Sequence, residues 1–322
     1  MVTPFEPGPG RRRLKVVARF HWRVERSNLL RYTGQVSACY TRQVLFESPG
    51  IAVVDFRCTA DNARNGPEEL NPTHSIALIR RGVFRRTHHG DTVVADASHL
   101  VFCNAEHPYQ YSHPVPGGDD CTILTLETPA ALELVARHAP HDAENPERPF
   151  RRGHALVTPR AAQLHYEVVR LARQPDPSLA LEDAVAELAD ESVRAAYGST
   201  EGWRRRRHVK AARQRRDLAE ATKLAINRHL DAPPSLRTLA GALGCSPFHL
   251  SRSFHRVEGL SLREYVRRLR ARVAAHHLAH GTSDLTELAL RLGYTDHSHF
   301  TNAFRREWGH PPSQFRSRHA RR

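Results

Sequence analysis

The stretch Asp284–Arg316, DLTELALRLGYTDHSHFTNAFRREWGHPPSQFR, decides how the C-terminal part of the chain folds. Leu285, Leu288, Ala289 and Leu292 recur at helical spacing and fall on one face. Gly293-Tyr294 breaks the run. A second helical run puts Phe300, Ala303, Phe304 and Trp308 on its inner face and His297, Ser298, His299, Thr301, Asn302, Arg305 and Arg306 on its outer face. Two short helices joined by a tight glycine turn, the second polar and basic outside, form the helix-turn-helix pattern.

The pattern occurs twice. LRTLAGALGCSPFHLSRSFHRVEG, from Leu236, aligns with the quoted stretch at Leu236/Leu285, Leu239/Leu288, Ala240/Ala289, Leu243/Leu292, Gly244/Gly293, Phe254/Phe304 and Gly259/Gly309, with one extra residue in the second turn. Ser246 and Asp296 stand where a side-chain oxygen caps a helix, and Pro247 stands where its missing N–H costs nothing. Ser261 with Glu264, and Asp284 with Glu287, have the spacing of reciprocal caps. Between the units, Ser261–Leu278 reads as one helix, roughly 27 Å long at about 1.5 Å per residue. Such a strut holds two recognition helices about one DNA turn, roughly 34 Å, apart. Arg263, Arg267, Arg268 and Arg270 are expected to point outward or toward phosphate, at least half of them as plain solvated charge.

Charge agrees with this reading. Thr200–Arg322 holds 25 Lys and Arg against 10 Asp and Glu, whereas Met1–Ser199 holds 23 against 24. A basic C-terminal module beside a mildly acidic domain fits a nucleic-acid binder with a separate regulatory part. Length, 322 residues, suggests about two domains. No apolar run suffices to span a bilayer, and the N-terminus lacks the apolar region of a signal peptide. The five cysteines, Cys39, Cys58, Cys103, Cys121 and Cys245, are too scattered for a disulfide framework and read as reduced thiols. The expected location is cytoplasmic and nucleoid-associated, with no membrane partner.

Four segments result. Residues 1–31 read as a basic, poorly ordered arm. Residues 32–197 read as a sensor and dimerisation domain. In it, short strand-like runs (51–58, 74–79, 82–89, 92–97, 99–103, 109–112 and 121–127) are separated by Gly, Pro and Asp turns, as in a sandwich or barrel. Helices follow at 130–138, 161–173 and 181–196. The stripe Leu181, Val185, Leu188 and Ala195 reads as packing within the domain before an oligomer seam. Residues 198–216 read as a basic linker and 217–322 as the DNA-binding domain.

The segments GCSPFHLSRSFHRVEGLSLREYVRRLR and GYTDHSHFTNAFRREWGHPPSQFR resemble the two halves of the DNA-binding domain of the AraC/XylS family of bacterial transcription regulators. The resemblance covers Ala219–Arg316, and the β-rich half resembles, less specifically, the cupin-like sensor domain of such regulators. It implies an α+β multidomain chain: an N-terminal cupin-like β-barrel with following helices, then an all-α domain with two helix-turn-helix units. It implies a non-enzymatic, effector-responsive regulator of promoter DNA, with an unknown small-molecule effector, RNA polymerase as a candidate partner and a homodimer as a candidate state. Phe248, Ser251 and Arg252 are implied to face bases in the first unit. His297, Ser298, His299, Thr301 and Asn302 are implied in the second, and Arg256, Arg305 and Arg306 complete the DNA-binding set. Arg252 suits guanine and Asn302 adenine; the family usually carries a basic residue where Asn302 stands.

For the effector, Tyr109, Tyr111 and His113 are candidates at a barrel mouth. No cofactor and no metal are expected. His88-His89 lack the His-x-His spacing of catalytic cupins, and His297 and His299, two apart on a helix, do not face one side. A scattered set (Cys58, His74, Cys103, His107, His113 and Cys121) would have to converge to make a metal or thiol redox sensor. The competing class is therefore an enzyme or redox sensor, a metal-dependent cupin or a repair methyltransferase, fused to a DNA-binding module.

Overall fold

The computed structural model describes residues 40–61, 66–174, 179–198, 209–282 and 284–320. The expected N-terminal arm, Cys39 and most of the expected linker lie outside these residues.

The first domain is an antiparallel sheet rolled around one long strand. Its strands are β1 (Tyr40–Ser48), β2 (Ile51–Cys58), β3 (Glu69–Leu70), β4 (His74–His88), β5 (Asp91–Asp96), β6 (His99–Cys103), β7 (Pro108–Ser112), β8 (Asp119–Leu126) and β9 (His154–Leu156). They run in the order β1-β2-β8-β4-β6-β9. The first part of β4 pairs with β6 and β8, while residues 83–88 pair with β5 and residues 85–87 with β7. The expected turn at Arg80-Arg81-Gly82 is instead an irregularity between Ile79 and Arg81 that bends one continuous strand. Gly82 makes the bend feasible: its φ is +82° and a Cβ there would lie 2.0 Å from the Gly118 carbonyl oxygen.

Period-2 alternation divides the apolar residues between two compartments. Ile79, Phe84, Ala95, Val101, Cys103, Tyr109 and Cys121 pack inside the roll. Ile76, Leu78, Leu100, Phe102 and Leu124, one residue out of phase, face the helices. Those helices are α1 (Thr128–Ala136), α2 (Pro159–Leu171) and α3 (Leu179–Tyr197). Thr158 caps α2 by accepting from the Ala161 N–H. The α3 stripe of Leu181, Val185 and Leu188 is buried in this same core, so it is not left as an oligomer seam. The opposite face of α3 carries exposed Glu182, Asp183 and Glu187.

The second domain is all helical: α4 (Val209–Arg228), α5 (Leu236–Ala242), α6 (Pro247–Glu258), α7 (Leu262–Ala279), α8 (Leu285–Arg291), α9 (His297–Trp308) and α10 (Pro312–His319). Helix α4 starts inside the segment read as linker, because a basic run with Ala and Gln is also a good helix former. The core facing the sheet continues without a break from Phe46 through α2 and α3 to Phe304, Trp308 and Phe315. Tyr166 of α2 meets Trp308 and Phe315 edge-on, with centroids 5.3 and 5.1 Å away.

Candidate nucleic-acid interface

Both helix-turn-helix units are built by the same local chemistry. Ser246 Oγ accepts from the His249 N–H at 3.2 Å and starts α6. Asp296 Oδ1 accepts from the His299 N–H at 2.7 Å and starts α9. Each helix ends at a left-handed glycine, Gly259 (φ 73°) and Gly309 (φ 79°). The two turn glycines differ. At Gly244 a Cβ would meet nothing within 4 Å, whereas at Gly293 it would lie 1.7 Å from the Asp231 carbonyl oxygen. The second turn thus sits against the α4–α5 loop and has no room for any side chain.

The apolar faces are buried as their spacing requires. Leu250 and Phe254 of α6, and Phe300, Phe304 and Trp308 of α9, are shielded. On the outer faces, Phe248, Arg252 and Arg256 are exposed, and Ser251 is half-buried. His297, Ser298, His299, Asn302, Arg305 and Arg306 are exposed, and Thr301 is half-buried. The expected DNA-facing residues therefore lie on the accessible sides of their helices, except Thr301, whose hydroxyl is buried. Phe248 is the clearest, 73% exposed where burial would normally stabilise it. The strut between the units is α7, whose 18 residues span roughly 27 Å.

Two expectations about α7 need correction. Ser261 caps it by accepting from the Glu264 N–H at 3.2 Å, but the Glu264 carboxylate does not complete a reciprocal cap. It takes Arg267 and Arg268, each at 2.7 Å, because two guanidiniums outcompete one neutral N–H for a carboxylate. They hold Glu264 down at about 2, with the Arg267 hydrogen bond the largest cause. Arg270 does not face phosphate either. It donates to the carbonyls of Leu230, Asp231 and Gly293, each at 2.9 Å, and ties the second turn to the end of α4. Of the four arginines, Arg263 alone remains exposed.

The sensor side holds this domain through buried charge. Lys223 of α4 is fully buried, with its Nζ 3.0 Å from Glu220 Oε2 and 3.1 Å from Glu258 Oε1. The second contact is an ion pair without hydrogen-bond alignment. The same Nζ lies 3.3 Å from His99 Nε2 of β6. Asp96 of β5 accepts from Asn227 at 2.7 Å and from the Tyr265 hydroxyl. The Val94 N–H donates to Glu220 at 2.5 Å. Deeper along α7, Arg272 donates to Glu307 at 2.8 Å and to the Val157 carbonyl at 2.8 Å. Sequence reasoning missed all of these partners, since every pair except Lys223 with Glu220 is assembled from distant segments.

The candidate effector residues are engaged within the first domain. The Tyr109 hydroxyl accepts from the Asn104 N–H at 2.8 Å, and Tyr109 lies under the Arg86 guanidinium at 5.2 Å. Tyr111 OH and Cys103 Sγ are 3.6 Å apart. His113 Nε2 is 2.6 Å from Asp119 Oδ1. Of the scattered Cys and His set, Cys58 and His113 do approach each other, beside Asp119. Cys121 donates its thiol to the same carboxylate at 3.0 Å. His74 and Cys103 are used elsewhere: Cys103 takes Arg86, and His74 accepts from the Ala105 N–H.

Residues 239–318 match the helix-turn-helix domain model typical of AraC-type regulators, and residues 39–196 match the AraC-binding-like domain. The regulatory protein SoxS of Salmonella typhimurium is 34% identical over 93 residues, which are 29% of this chain and 87% of that protein. The chain belongs to the AraC/XylS family of DNA-binding transcription regulators. Two further family relatives are covered only in part. The transcriptional activator RhaS of an Enterobacter species is 34% identical over 28% of this chain and 33% of its own length. The bifunctional transcriptional activator and DNA repair enzyme AdaA of Bacillus subtilis is 26% identical over 28% and 43%. The crystal structure of ToxT from Vibrio cholerae aligns over 84% of this AraC/XylS chain and 99% of its own, at 11% identity and a TM-score of 0.33. Among the described residues, no helix is long and apolar enough to cross a membrane.

Proposed function

We propose that this chain regulates promoters by placing α6 and α9 in two successive major-groove segments, under control of a signal received by the β domain. The observation that carries the reading is the pair of capped helices whose solvent-facing residues are Phe248, Arg252 and Arg256 on one and His297, His299, Asn302, Arg305 and Arg306 on the other. A packaging protein would need only the net charge. Capped N-termini turned toward DNA offer backbone N–H groups to phosphate, while the side chains that follow reach base edges. Arg252 presents a fork suited to guanine, and Asn302 an amide suited to adenine. With asparagine in place of the usual basic residue, the second unit reads a base of its own choosing.

The signal would act by favouring one arrangement of the two domains over another. The continuous core and the hydrogen bonds that Lys223 makes with His99, Asn227 and Tyr265 with Asp96, and Arg272 with the Val157 carbonyl make such a shift costly, so an effector must bind one arrangement considerably better than the other. Replacing Arg252 with alanine tests the DNA-reading half of this proposal. The expected loss is about 1–3 kcal/mol on a selected site, with specificity relaxed at one position. Mobility-shift titrations against the selected site and against single-base variants measure it. Equal weakening on all sequences would assign Arg252 to phosphate.

A further inference from the structure

At one end of the roll, the β4–β5 hairpin meets the loop that follows β6, and three imidazoles come together. The ligating nitrogens of His88, His89 and His107 all lie within 4.8 Å of one another. We propose that these three histidines form a binding site for a divalent transition-metal ion, zinc being the best fit, with a fourth position left open. Three neutral imidazoles suit zinc, copper or nickel, and three protein ligands plus an open position is the arrangement of accessible zinc sites.

Three features distinguish the group from a chance cluster. His88 Nδ1 is 2.8 Å from the Pro108 carbonyl oxygen. A carbonyl only accepts, so Nδ1 carries the proton and Nε2 keeps its lone pair. A ligating histidine is commonly fixed in this way through its other nitrogen. His107 hydrogen-bonds to the Glu147 backbone, while its Nδ1 is buried with no hydrogen-bond partner. Two of the three rings are thus each anchored at a backbone group with a nitrogen left over. Finally, His89 (φ 48°) and Glu106 (φ 55°) are the non-glycine residues at positive φ among those described. His89 shares the two-residue β4–β5 turn with Gly90 (φ 79°), where both positions take positive φ, and Glu106 immediately precedes His107, so each left-handed residue lies in or next to the cluster.

The rings are near, though not yet in, a coordination sphere. Tetrahedral zinc, with bonds of about 2.0–2.1 Å, needs nitrogens about 3.3 Å apart. His89 is exposed at the hairpin tip and free to rotate into place. The site stands beside the start of the DNA-binding domain: Asp91, two residues from His89, lies 3.8 Å from Arg216 of α4. The second His- and Cys-containing group, Cys58, His113 and Asp119, is fully buried, and its carboxylate already takes both an imidazole and a thiol.

The test uses the full-length chain, stripped with a chelator and titrated with zinc(II) against a chromophoric competitor. One equivalent should bind, and His88→Gln and His107→Gln should each weaken binding at least ten-fold. His89→Gln changes only an exposed side chain and should do the same with an unchanged circular dichroism spectrum. His113→Gln should leave zinc binding intact. Cobalt(II) in the same site should show no thiolate-to-metal charge-transfer band. The proposal is overturned if no stoichiometric zinc binds, if binding survives His89→Gln and His107→Gln, or if cobalt shows the thiolate band.

Discussion

Lys223→Met lowers the stability of the chain by about 3–5 kcal/mol, the cost of removing one partner from a buried ion group. Methionine has the volume to fill the site but leaves Glu220 and Glu258 facing each other without a cation. The Lys223 ammonium is kept charged because Glu258 and Glu220 outweigh the burial that opposes it. Glu258 is in turn held well below the ordinary carboxylate range: burial pushes it up, and the Lys223 charge with the His99 contact more than reverses that. Urea denaturation followed by circular dichroism measures the loss. A loss within about 0.5 kcal/mol, the range of a surface substitution, would show that the group is solvated. The double replacement of Lys223 and Glu258 by methionine and glutamine should recover part of the loss, because fewer charges are then stranded.

Acid should loosen the junction between the domains well before the carboxylates titrate. His165, His276 and His319 sit in or beside the core shared by the two domains, and all three are buried. Burial is the first cause in each case. It lowers His165 to about 3, with Arg80 adding to the effect, and His276 to about 2, with His280 and Arg80 adding. His319 is lowered to about 4, against the pull of Glu167. Because their folded values lie below the unfolded value of about 6.5, their contribution is complete above pH 6.5 and is lost as pH falls. At pH 5 each group costs about 2 kcal/mol. His99 works in the opposite sense. Burial and Lys223 lower it, but Asp96 and Glu258 raise it overall, so its share grows on acidification. Three groups against one leave a net loss of several kcal/mol between pH 7.5 and pH 5. Thermal melts at those two values read it directly. Equal midpoints would mean that these imidazoles are protonated or hydrated in the fold.

The helical half was legible in the sequence because its signals are local. Ser246 before Pro247, Asp296 before His297 and the glycines at 259 and 309 each fix a helix end within a few residues, and the structure places caps there. In the β half, β2 and β6 follow from runs of apolar residues. Strand β1 escaped notice, since YTRQVLFES mixes polar and apolar residues without strict alternation. Arg80-Arg81-Gly82 looked like a turn because two charges and a glycine usually end a strand. Here Arg80 is buried and paired with Asp55, a contact across 25 residues that no local pattern reveals.

The solvent-facing residues of α6 and α9 were legible for the same reason as the helix ends: a 3.6-residue period separates an inner from an outer face. What ties these helices to the β domain was not. Lys223 meets His99 across 124 residues and Tyr265 meets Asp96 across 169. The three-histidine group has a related origin. Adjacent His88-His89 carry no ligand spacing, and the third imidazole arrives only because the loop after β6 folds back onto the hairpin. Arg270 is the converse case, an arginine whose position suggested phosphate and whose contacts are all internal.

The most direct measurement is a footprint of the full-length chain on a site selected from random-sequence DNA, with both strands probed at single-base resolution. Two recognition helices on a rigid α7 predict two protected major-groove segments per chain, centred about 34 Å apart on one face of the duplex. Protection of a single segment, or protection spread evenly over unrelated DNA, would contradict the reading of α6 and α9 as a pair.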